Sequence, residues 1–526
     1  APSRLHIQVA GRAVRIPKEL YDSKHKKTAV ADYLLRNFAK QLERHSFQAH
    51  GSGKSGIIQV TRCGQEVLER TACEIDEKTG DVTVRFEVGF PARGRTIQAG
   101  ELVKILYQYL PACVEKALYY KNMDRNAVKQ AAELSVDQEY IREQLKKEGL
   151  VAFVADGSIL PRESGVSQRP MKDAVPFASP DSMRITMKLP YKGMLTGMGI
   201  RKGVTLIVGG GYHGKSTLLK ALESGVYPHV AGDGREYVVT DDTAMKIRAE
   251  DGRSIRHTDI SMFINDLPNG KDTYAFDTED ASGSTSQAAN VIESMEAGTQ
   301  VFLIDEDTSA TNFMVRDELM QQVIHRDMEP ITPFIERVRE LYREYGISTV
   351  LVAGSSGSYF QIADQIVQMD KYVPKEITEL AKKAAADYPV LKFPEEKPKE
   401  PSYDRKVRRN PGIRQKGRVK LKTMGRDAIM IGHETIDLRY VEQLVDSEQL
   451  NTLGQIVRFL EEEIFDGKKT LGQAVEQAEK LLDKRGPAGM CEGNIVPGNL
   501  ARPRIQEIYA CMNRYRKLGT DRKERG

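Results

Sequence analysis

Three apolar runs dominate the middle of the chain. They are VTLIV (204–208), VFLI (301–304) and STVLV (348–352), and stretches with helical spacing of apolar residues separate them. Continuous apolar runs of this length are typical of parallel strands that are covered by helices on both faces of a sheet. The pattern therefore predicts an α/β core with a parallel sheet over residues 181–390.

The apolar pattern outside this core predicts two flanking regions. Apolar and polar residues alternate over 82–88, as in a half-buried strand, and residues 30–42 and 102–118 have the three- and four-residue spacing of amphipathic helices. We therefore expect an N-terminal α/β domain over residues 1–180. Helical spacing returns near the end of the chain and predicts a mainly helical C-terminal domain over residues 431–526.

A glycine-rich segment follows the first apolar run. GGGYHGKS at 209–216 matches the phosphate-binding pattern G-x-x-x-x-G-K-[ST], with a strand pattern before it and a helix pattern after it. In that context backbone N–H groups and the helix N-terminus bind phosphate, Lys215 reaches the β- and γ-phosphates, and Ser216 ligates Mg²⁺. The sequence therefore predicts binding of ATP and Mg²⁺ by Gly209, Gly210, Gly211, Tyr212, His213, Gly214, Lys215, Ser216 and Thr217.

Two polar segments further along the chain predict the rest of this site. VFLIDED places Asp305 at a strand end, where it can hold Mg²⁺ through water, and Glu306 beside it, where it can polarise the attacking water. ASGSTSQAAN (281–290) is a small-residue turn before a helical pattern, and its small residues allow close approach to phosphate. A helix N-cap explains that turn equally well. The candidate catalytic residues are Lys215, Asp305 and Glu306, and the further candidate phosphate contacts are Ser282, Gly283 and Ser284.

Together these motifs resemble those of the ATP-binding-cassette ATPases. GGGYHGKS resembles the Walker A motif, VFLIDE the Walker B motif with its catalytic glutamate, SGSTSQ the signature motif and DTSATN (307–312) the D-loop. Strings such as LIDEDTSATNFMVRD, DGSILPRESGVSQRP and IDLRYVEQLVD resemble more narrowly the predicted ATPases of the ABC class. Within that family the chain is most similar to the kinetoplastid mitochondrial ATPases associated with RNA editing.

That resemblance implies a head-to-tail homodimer. ATP would lie between Lys215, Ser216 and Asp305 of one copy and Ser282 and Gly283 of the other. ATP binding would hold the two copies together and hydrolysis would release them. The resemblance also implies an ATPase coupled to RNA binding or remodelling in the mitochondrial matrix, with subunits of a ribonucleoprotein complex as partners.

Three features depart from the cassette pattern. No histidine follows the third apolar run, where GSSGSYF supplies Ser355 or Ser356 instead, and this leaves the hydrolysis rate open. Asp259 or Ser261 stands where a Q-loop glutamine is expected. Only about 20 residues separate that region from the signature motif, which leaves little room for the subdomain that docks on a permease. A weakly active, ATP-gated assembly or adaptor subunit is therefore the alternative to an active ATPase, and a transporter subunit is disfavoured.

The distribution of charge adds a candidate partner. The net charge of +4 is too small to indicate nucleic acid, but residues 405–426 carry ten Lys or Arg and no Asp or Glu. Cations at this density neutralise RNA phosphates in a salt-sensitive, sequence-tolerant way, and the scarcity of aromatic residues favours backbone contacts over base stacking. A solvated basic linker over residues 391–430 is the alternative. The candidate RNA contacts are Arg405, Lys406, Arg408, Arg409, Arg414, Lys416, Arg418, Lys420, Lys422 and Arg426.

Composition limits the number of domains, the presence of membrane spans and the state of the cysteines. The 526 residues suit three to four domains of about 150 residues each, and 40% apolar residues are enough for ordinary cores. No apolar run approaches the roughly 18 residues of a membrane span, so we expect none. The five cysteines lack metal-ligand spacing and are odd in number, which indicates reduced thiols in a reducing compartment. The first residue is Ala rather than Met, which is compatible with removal of a targeting peptide.

Overall fold

The computed structural model describes residues 2–94, 96–316, 329–389, 399–415 and 418–521. The strands are β1 (Ser3–Val9), β2 (Ile58–Gln59), β3 (Cys73–Ile75), β4 (Val82–Val88), β5 (Ala92–Arg93), β6 (Thr96–Ile97), β7 (Leu150–Ala155), β8 (Arg184–Leu189), β9 (Gly193–Arg201), β10 (Val204–Val208), β11 (Val238–Thr240), β12 (Met245–Ile247), β13 (Ile255–Thr258), β14 (Phe276–Thr278), β15 (Val301–Asp305), β16 (Ser348–Val352), β17 (Gln365–Asp370), β18 (Val373–Glu376), β19 (Lys406–Arg408), β20 (Arg414–Gln415), β21 (Arg418–Val419), β22 (Leu421–Met424), β23 (Ala428–Ile431), β24 (Glu434–Asp437) and β25 (Gly519–Asp521). The α-helices are α1 (Gly11–Val14), α2 (Lys24–His45), α3 (Ala99–Lys104), α4 (Leu110–Leu118), α5 (Arg125–Lys147), α6 (Lys215–Ser224), α7 (Gly283–Glu296), α8 (Thr311–Met314), α9 (Phe334–Tyr345), α10 (Thr378–Ala385), α11 (Ser447–Phe459), α12 (Leu471–Arg485) and α13 (Ile505–Asn513).

A parallel sheet forms the centre of the molecule. Its strand order is β12-β15-β16-β10-β17-β18, and β18 alone runs antiparallel to its neighbour. The three apolar runs become β10, β15 and β16, which lie side by side, so the prediction of a parallel sheet is confirmed. Because parallel strands end at the same edge of a sheet, the segments that follow these three strands come together.

An antiparallel sheet of order β11-β7-β9-β8 packs beside the central sheet. One core joins Val154 of β7 and Met198 of β9 to Ile207 of β10 and to Leu218 and Leu222 of α6. Strand β7 lies within the range expected for the first domain, yet it pairs with β9 and β11. The chain from β7 onward therefore folds with the central sheet.

The N-terminal region has its own small sheet. Strand β4 pairs with β1, β2 and β3, and its alternate residues from Val82 to Val88 are buried, so the predicted half-buried strand is confirmed. Helix α2 covers this sheet, and Phe38 meets Phe86 edge to face with ring centroids 5.5 Å apart. This second core is separate from the core of the central sheet.

The C-terminal region combines α11, α12 and α13 with an antiparallel meander of β22, β23 and β24. Its helices share a continuous apolar core with β12 and α7 of the central region. The described part of the basic segment 391–430 includes the strands β19, β20, β21 and β22, and β19 pairs with β25.

Polar contacts fasten the C-terminal region to the central sheet and to α7. The side-chain amide of Gln443 donates to the carbonyl oxygen of Ala244 at 3.1 Å and accepts from the backbone N–H of Lys246 at 3.0 Å. Arg514 donates from Nε to Glu250 at 3.1 Å and from Nη2 to Asn290 of α7 at 3.2 Å. These contacts fix the C-terminal helices against edge strand β12 and helix α7.

A buried carboxyl in this region predicts a pH-dependent stability. Burial raises the pKa of Glu461 to about 7, although it accepts a hydrogen bond from the backbone N–H of Asn410 at 2.7 Å. Since the folded-state pKa is raised, the stabilisation is complete below the ordinary carboxyl pKa and is lost as pH rises through about 7. We expect Glu461→Gln to raise the free energy of unfolding by about 3 kcal/mol at pH 8 and by under about 1 kcal/mol at pH 5. Urea unfolding at the two pH values measures this, and an equal effect at both would contradict it.

Candidate nucleotide-binding site

The glycine-rich loop lies between β10 and the N-terminus of α6, as the sequence predicts. Gly209 and Gly214 have φ angles of +142° and +99°, which L side chains rarely adopt. A Cβ atom at Gly209 would lie 2.5 Å from the carbonyl oxygen of Met369. Both glycines are therefore needed for the loop to pass this close to the neighbouring backbone.

The side chains at the start of α6 face the loop and solvent. Nζ of Lys215 donates to the carbonyl oxygens of Gly209 and Gly210 at 2.6 and 2.9 Å. Ser216 is exposed, and Thr217 is half-buried in the first turn of the helix. The N-terminal N–H groups and the positive end of the helix dipole favour an anion at this position.

The hairpin turn between β17 and β18 supports the loop, and sequence reasoning missed this contact. Nδ1 of His213 accepts from the backbone N–H of Lys371 at 3.0 Å, and its carbonyl oxygen accepts from Tyr372 N–H at 3.0 Å. His213 thus contacts the turn through both its ring and its backbone. Tyr212 beside it has a φ of +63° and a fully exposed side chain.

Asp305 lies one strand away from the glycine-rich loop. It is the last residue of β15 and pairs with Val352 of β16, and Val352 pairs on its other side with Ile207 of β10. Its side chain is buried, and Oδ1 accepts from the backbone N–H of Asp307 at 3.2 Å. The structure therefore brings the glycine-rich loop and this carboxylate to the same sheet edge.

Glu306 contacts the segment that follows β16. Oε2 accepts from the backbone N–H groups of Gly354 and Ser355 at 2.6 and 3.0 Å, and Oε1 accepts from the Ser355 hydroxyl at 2.7 Å. Partial burial raises the pKa of Glu306, but the hydrogen bonds from Ser355, Gly354 and Ser356 outweigh it and hold the pKa below the ordinary value. Of the two serines considered at this position, Ser355 is the one whose side chain contacts Glu306.

The small-residue turn 281–290 begins α7. Ser282 is the N-cap, and its hydroxyl oxygen accepts from the backbone N–H of Thr285 at 3.4 Å, so the N-cap interpretation is confirmed. Ser282 is exposed and Gly283 half-buried. Ser284 is buried, so its side chain is not accessible to a ligand, and only its backbone N–H remains a candidate phosphate contact.

A buried glutamine ties α7 to the segment after Asp305, and sequence reasoning missed it. The side-chain amide of Gln287 donates to the hydroxyl of Ser309 at 3.0 Å and accepts from the backbone N–H of Ala310 at 2.8 Å. Gln287 is fully buried. The start of α7 and residues 307–312 therefore form one connected unit.

Arg405 does not belong to a cationic surface, which corrects its prediction as an RNA contact. Only 2% of the residue is exposed, and its guanidinium pairs with Glu296. Nη1 also donates to the carbonyl oxygen of Arg256 at 3.0 Å and to the hydroxyl of Thr258 at 3.2 Å. Its burial and these protein partners keep the guanidinium away from a phosphate at the surface.

The other cations of the segment fall into two groups. Some already have protein partners: Arg408 pairs with Asp521 at 3.4 Å, Arg414 pairs with Glu462 at 3.1 Å, and Arg409 donates to the carbonyl oxygen of Glu462. Lys406, Lys420, Lys422 and Arg426 are exposed, and Arg426 donates to the carbonyl oxygen of Val445 at 3.4 Å. Lys416 and the side chain of Arg418 lie outside the described residues.

Three family models match consecutive parts of the chain. The P-loop domain of the ABC ATPases matches residues 124–404, 281 of 526 residues, and the N-terminal domain of the ATPases of the ABC class matches residues 1–121. This chain belongs to the ABC-class ATPases. A third model, the MRB1590 C-terminal domain, matches residues 420–521. The resemblance found in the sequence is thereby confirmed, and the fold of this ABC-class ATPase is an α/β P-loop ATPase fold.

Individual relatives cover less of the chain. The uncharacterized protein MJ1628 of Methanocaldococcus jannaschii is 29% identical over 264 residues, which are 48% of this chain and 57% of that protein. The chain thus matches little more than half the length of this relative. Two solved ATP-binding cassettes are similar at 14% identity. The ADP conformation of MJ1267 from an ABC transporter has a TM-score of 0.25 and covers 37% of this chain and 88% of that one. The cassette cbiO1 from Clostridium perfringens has a TM-score of 0.23 and covers 36% and 86%.

Within its described residues, this ABC-class ATPase has no helix that is long and apolar enough to cross a membrane.

Proposed function

We propose that this chain hydrolyses Mg²⁺-ATP in a head-to-tail dimer and couples the nucleotide cycle to RNA binding in mitochondrial RNA editing or processing. The proposed domains follow the family matches: an N-terminal domain, an ATPase core and a C-terminal domain over residues 1–121, 124–404 and 420–521. One observation supports the proposal most. The glycine-rich loop, Asp305 and Glu306 lie at one edge of three adjacent parallel strands.

The residues at this edge fit ATP and Mg²⁺. Mg²⁺ prefers hard oxygen ligands, and the exposed hydroxyl of Ser216 and the carboxylate of Asp305 provide them. When bound, Mg²⁺ neutralises charge that develops on the phosphates. Lys215 would leave the loop carbonyls that it contacts and bind the β- and γ-phosphates, while Glu306 would orient the attacking water.

The placement of α7 supports a second copy as the other half of the site. Its N-terminus, with exposed Ser282, is joined by Gln287 to residues 307–312. The glycine-rich loop is joined instead to the β17–β18 turn. A helix N-terminus that is exposed and apart from its own phosphate loop suits a phosphate bound by another copy.

The C-terminal region supports RNA as the partner. Its match to the MRB1590 C-terminal domain begins at residue 420. Three exposed cations lie there: Lys420 directly before β22, Lys422 on β22 and Arg426 in the turn after it. The exposed Lys406 lies on β19. Exposed cations of this kind contact phosphates without reading the base sequence.

Removal of these cations should weaken RNA binding. We expect Lys420→Ala/Lys422→Ala/Arg426→Ala to lower the affinity for single-stranded RNA and to make the log–log salt slope less steep by about 2, since each cation releases about 0.7 counterion. Filter binding across a salt series measures both quantities. Arg408→Ala/Arg414→Ala is the matched control, because those cations are paired with Asp521 and Glu462. Equal losses in both variants would refute the assignment.

A second candidate function is a weakly active, ATP-gated assembly subunit. The hydrogen bonds that occupy both carboxylate oxygens of Glu306 favour it, because they compete with the attacking water. Phosphate release with and without single-stranded RNA decides between the two candidates. An ATPase coupled to RNA releases phosphate above the Lys215→Ala background and does so faster with RNA. Release at that background in both conditions would leave the assembly subunit.

A further inference from the structure

The two carboxylate oxygens of Glu306 are held in different ways. Oε2 accepts from the backbone N–H groups of Gly354 and Ser355, which any residue other than proline would supply at those positions. The backbone N–H of Ser356 also stabilises the carboxylate. Oε1 accepts from the hydroxyl of Ser355 at 2.7 Å. A side-chain change at Ser355 can therefore remove the hydroxyl from Oε1 and leave the backbone hydrogen bonds to the carboxylate unchanged.

A carboxylate that orients water needs an oxygen that can accept from that water. Backbone donors fix Oε2 at distances of 2.6 and 3.0 Å, so Oε1 is the oxygen left for this task. The Ser355 hydroxyl occupies Oε1, and a hydrogen bond to an ionised carboxylate is stronger than one between neutral groups. This hydroxyl takes one of the two lone-pair positions of Oε1 and so restricts how the attacking water can donate to it.

We propose that Ser355 is a positioning residue that latches Glu306, and that release of its hydroxyl from Oε1 limits the rate of ATP hydrolysis. This inference rests on the proposed hydrolysis of ATP. It assigns the slow turnover considered above to a single side-chain hydroxyl rather than to an incomplete site.

The surroundings of Ser355 allow the latch to open without wider rearrangement. The serine is exposed and lies between the end of β16 and the turn Gly357–Gln361. Tyr359 anchors that turn to the core, because it is buried and its hydroxyl donates a hydrogen bond to the carbonyl oxygen of Met314 at 2.8 Å. Rotation about one side-chain bond at Ser355 therefore frees Oε1 while the backbone donors stay in place.

The strand order places the latch at the centre of the site. Strand β16 lies between β10, which precedes the glycine-rich loop, and β15, which ends at Asp305. The segment that carries Ser355 thus follows the strand between the two halves of the phosphate site. A hydroxyl here reaches Glu306 directly and acts on hydrolysis rather than on the backbone cradle of the loop.

Ser355→Ala tests the latch. We expect kcat for ATP to rise about tenfold, the factor that corresponds to ~1.4 kcal/mol of barrier, with KM unchanged because binding depends on the glycine-rich loop. Ser355→Thr keeps the hydroxyl and should return kcat to near the wild-type value. Ser358→Ala removes a hydroxyl from the same surface segment without touching Glu306 and is the matched control. Ser355→Ala/Glu306→Gln should lose the gain, since the latch acts through Glu306.

The outcomes separate the latch from the proposed activity. If the wild type hydrolyses ATP and Ser355→Ala is no faster, the latch is wrong and the ATPase stands. Phosphate release by Ser355→Ala but not by the wild type would support the latch and show that the wild type is held inactive. If neither the wild type nor Ser355→Ala releases phosphate above the Lys215→Ala background, both the latch and the proposed ATPase activity are wrong. A tenfold gain shared by Ser358→Ala would also overturn the latch, because that change leaves Oε1 occupied.

Discussion

Glu306→Gln is expected to lower the turnover number for ATP by at least about a hundredfold, because an amide cannot act as a general base. The fold around it should be unchanged. The amide oxygen can accept from Gly354 and Ser355 N–H as Oε2 does, and the amide N–H₂ can donate to the Ser355 hydroxyl oxygen in place of Oε1. Single-turnover phosphate release measures the loss, and size-exclusion chromatography with ATP should still show dimers.

Two variants make this result specific. Glu379→Gln changes an exposed carboxylate on α10, outside the predicted site, and should leave turnover near the wild-type rate. Lys215→Ala should remove both hydrolysis and ATP-induced dimers, because it weakens binding of the phosphates themselves. Wild-type turnover in Glu306→Gln would exclude Glu306 as the base, and loss of its ATP-induced dimers would contradict the separation of binding from hydrolysis.

Arg405→Ala is expected to lower the free energy of unfolding by about 3–5 kcal/mol, since it leaves the partner of a buried ion pair uncompensated. Glu296 and Arg405 have side chains that are 4% and 2% exposed, and Arg405 also donates to Arg256 and Thr258. Urea unfolding with one cooperative transition measures the loss. It should appear whether or not RNA is present.

The matched control is Arg408→Ala, three residues further along the chain. Arg408 and its partner Asp521 are 61% and 56% exposed, and an exposed pair contributes only about 0–1 kcal/mol. If Arg405→Ala kept full stability but lost RNA affinity, the burial of Arg405 would be wrong and its earlier prediction as an RNA contact would return. Equal destabilisation by both variants would show that burial is not the cause.

The elements that sequence alone predicted are those encoded locally. Strands β10, β15 and β16 are continuous apolar runs, and the glycines at 209 and 214 lie where the backbone needs left-handed φ angles. Asp305 and Glu306 followed from their position at the end of such a run. In each case the signal lies within a few residues of the feature that it predicts.

Contacts between distant segments could not be predicted in this way. His213 contacts Lys371, 158 residues away, and Ser355 contacts Glu306 across 49 residues. Arg405 shows that the partners of a charged residue also cannot be predicted from the local sequence. The basic run looks uniform in sequence, but the carboxylate that neutralises Arg405 lies 109 residues earlier, on α7. Only strand pairing and packing decide which cation is buried.

The attachment of the C-terminal helices to α7 has a consequence for energy transfer. Arg514 contacts Glu250 and Asn290, and one apolar core continues from β12 and α7 into α11–α13. A displacement of the β22–β24 meander would therefore be transmitted to α7 through this packed core and these hydrogen bonds. Under the proposed function, thermodynamic linkage then requires reciprocity: if RNA tightens closure of the two copies on ATP by some factor, closure tightens RNA binding by the same factor.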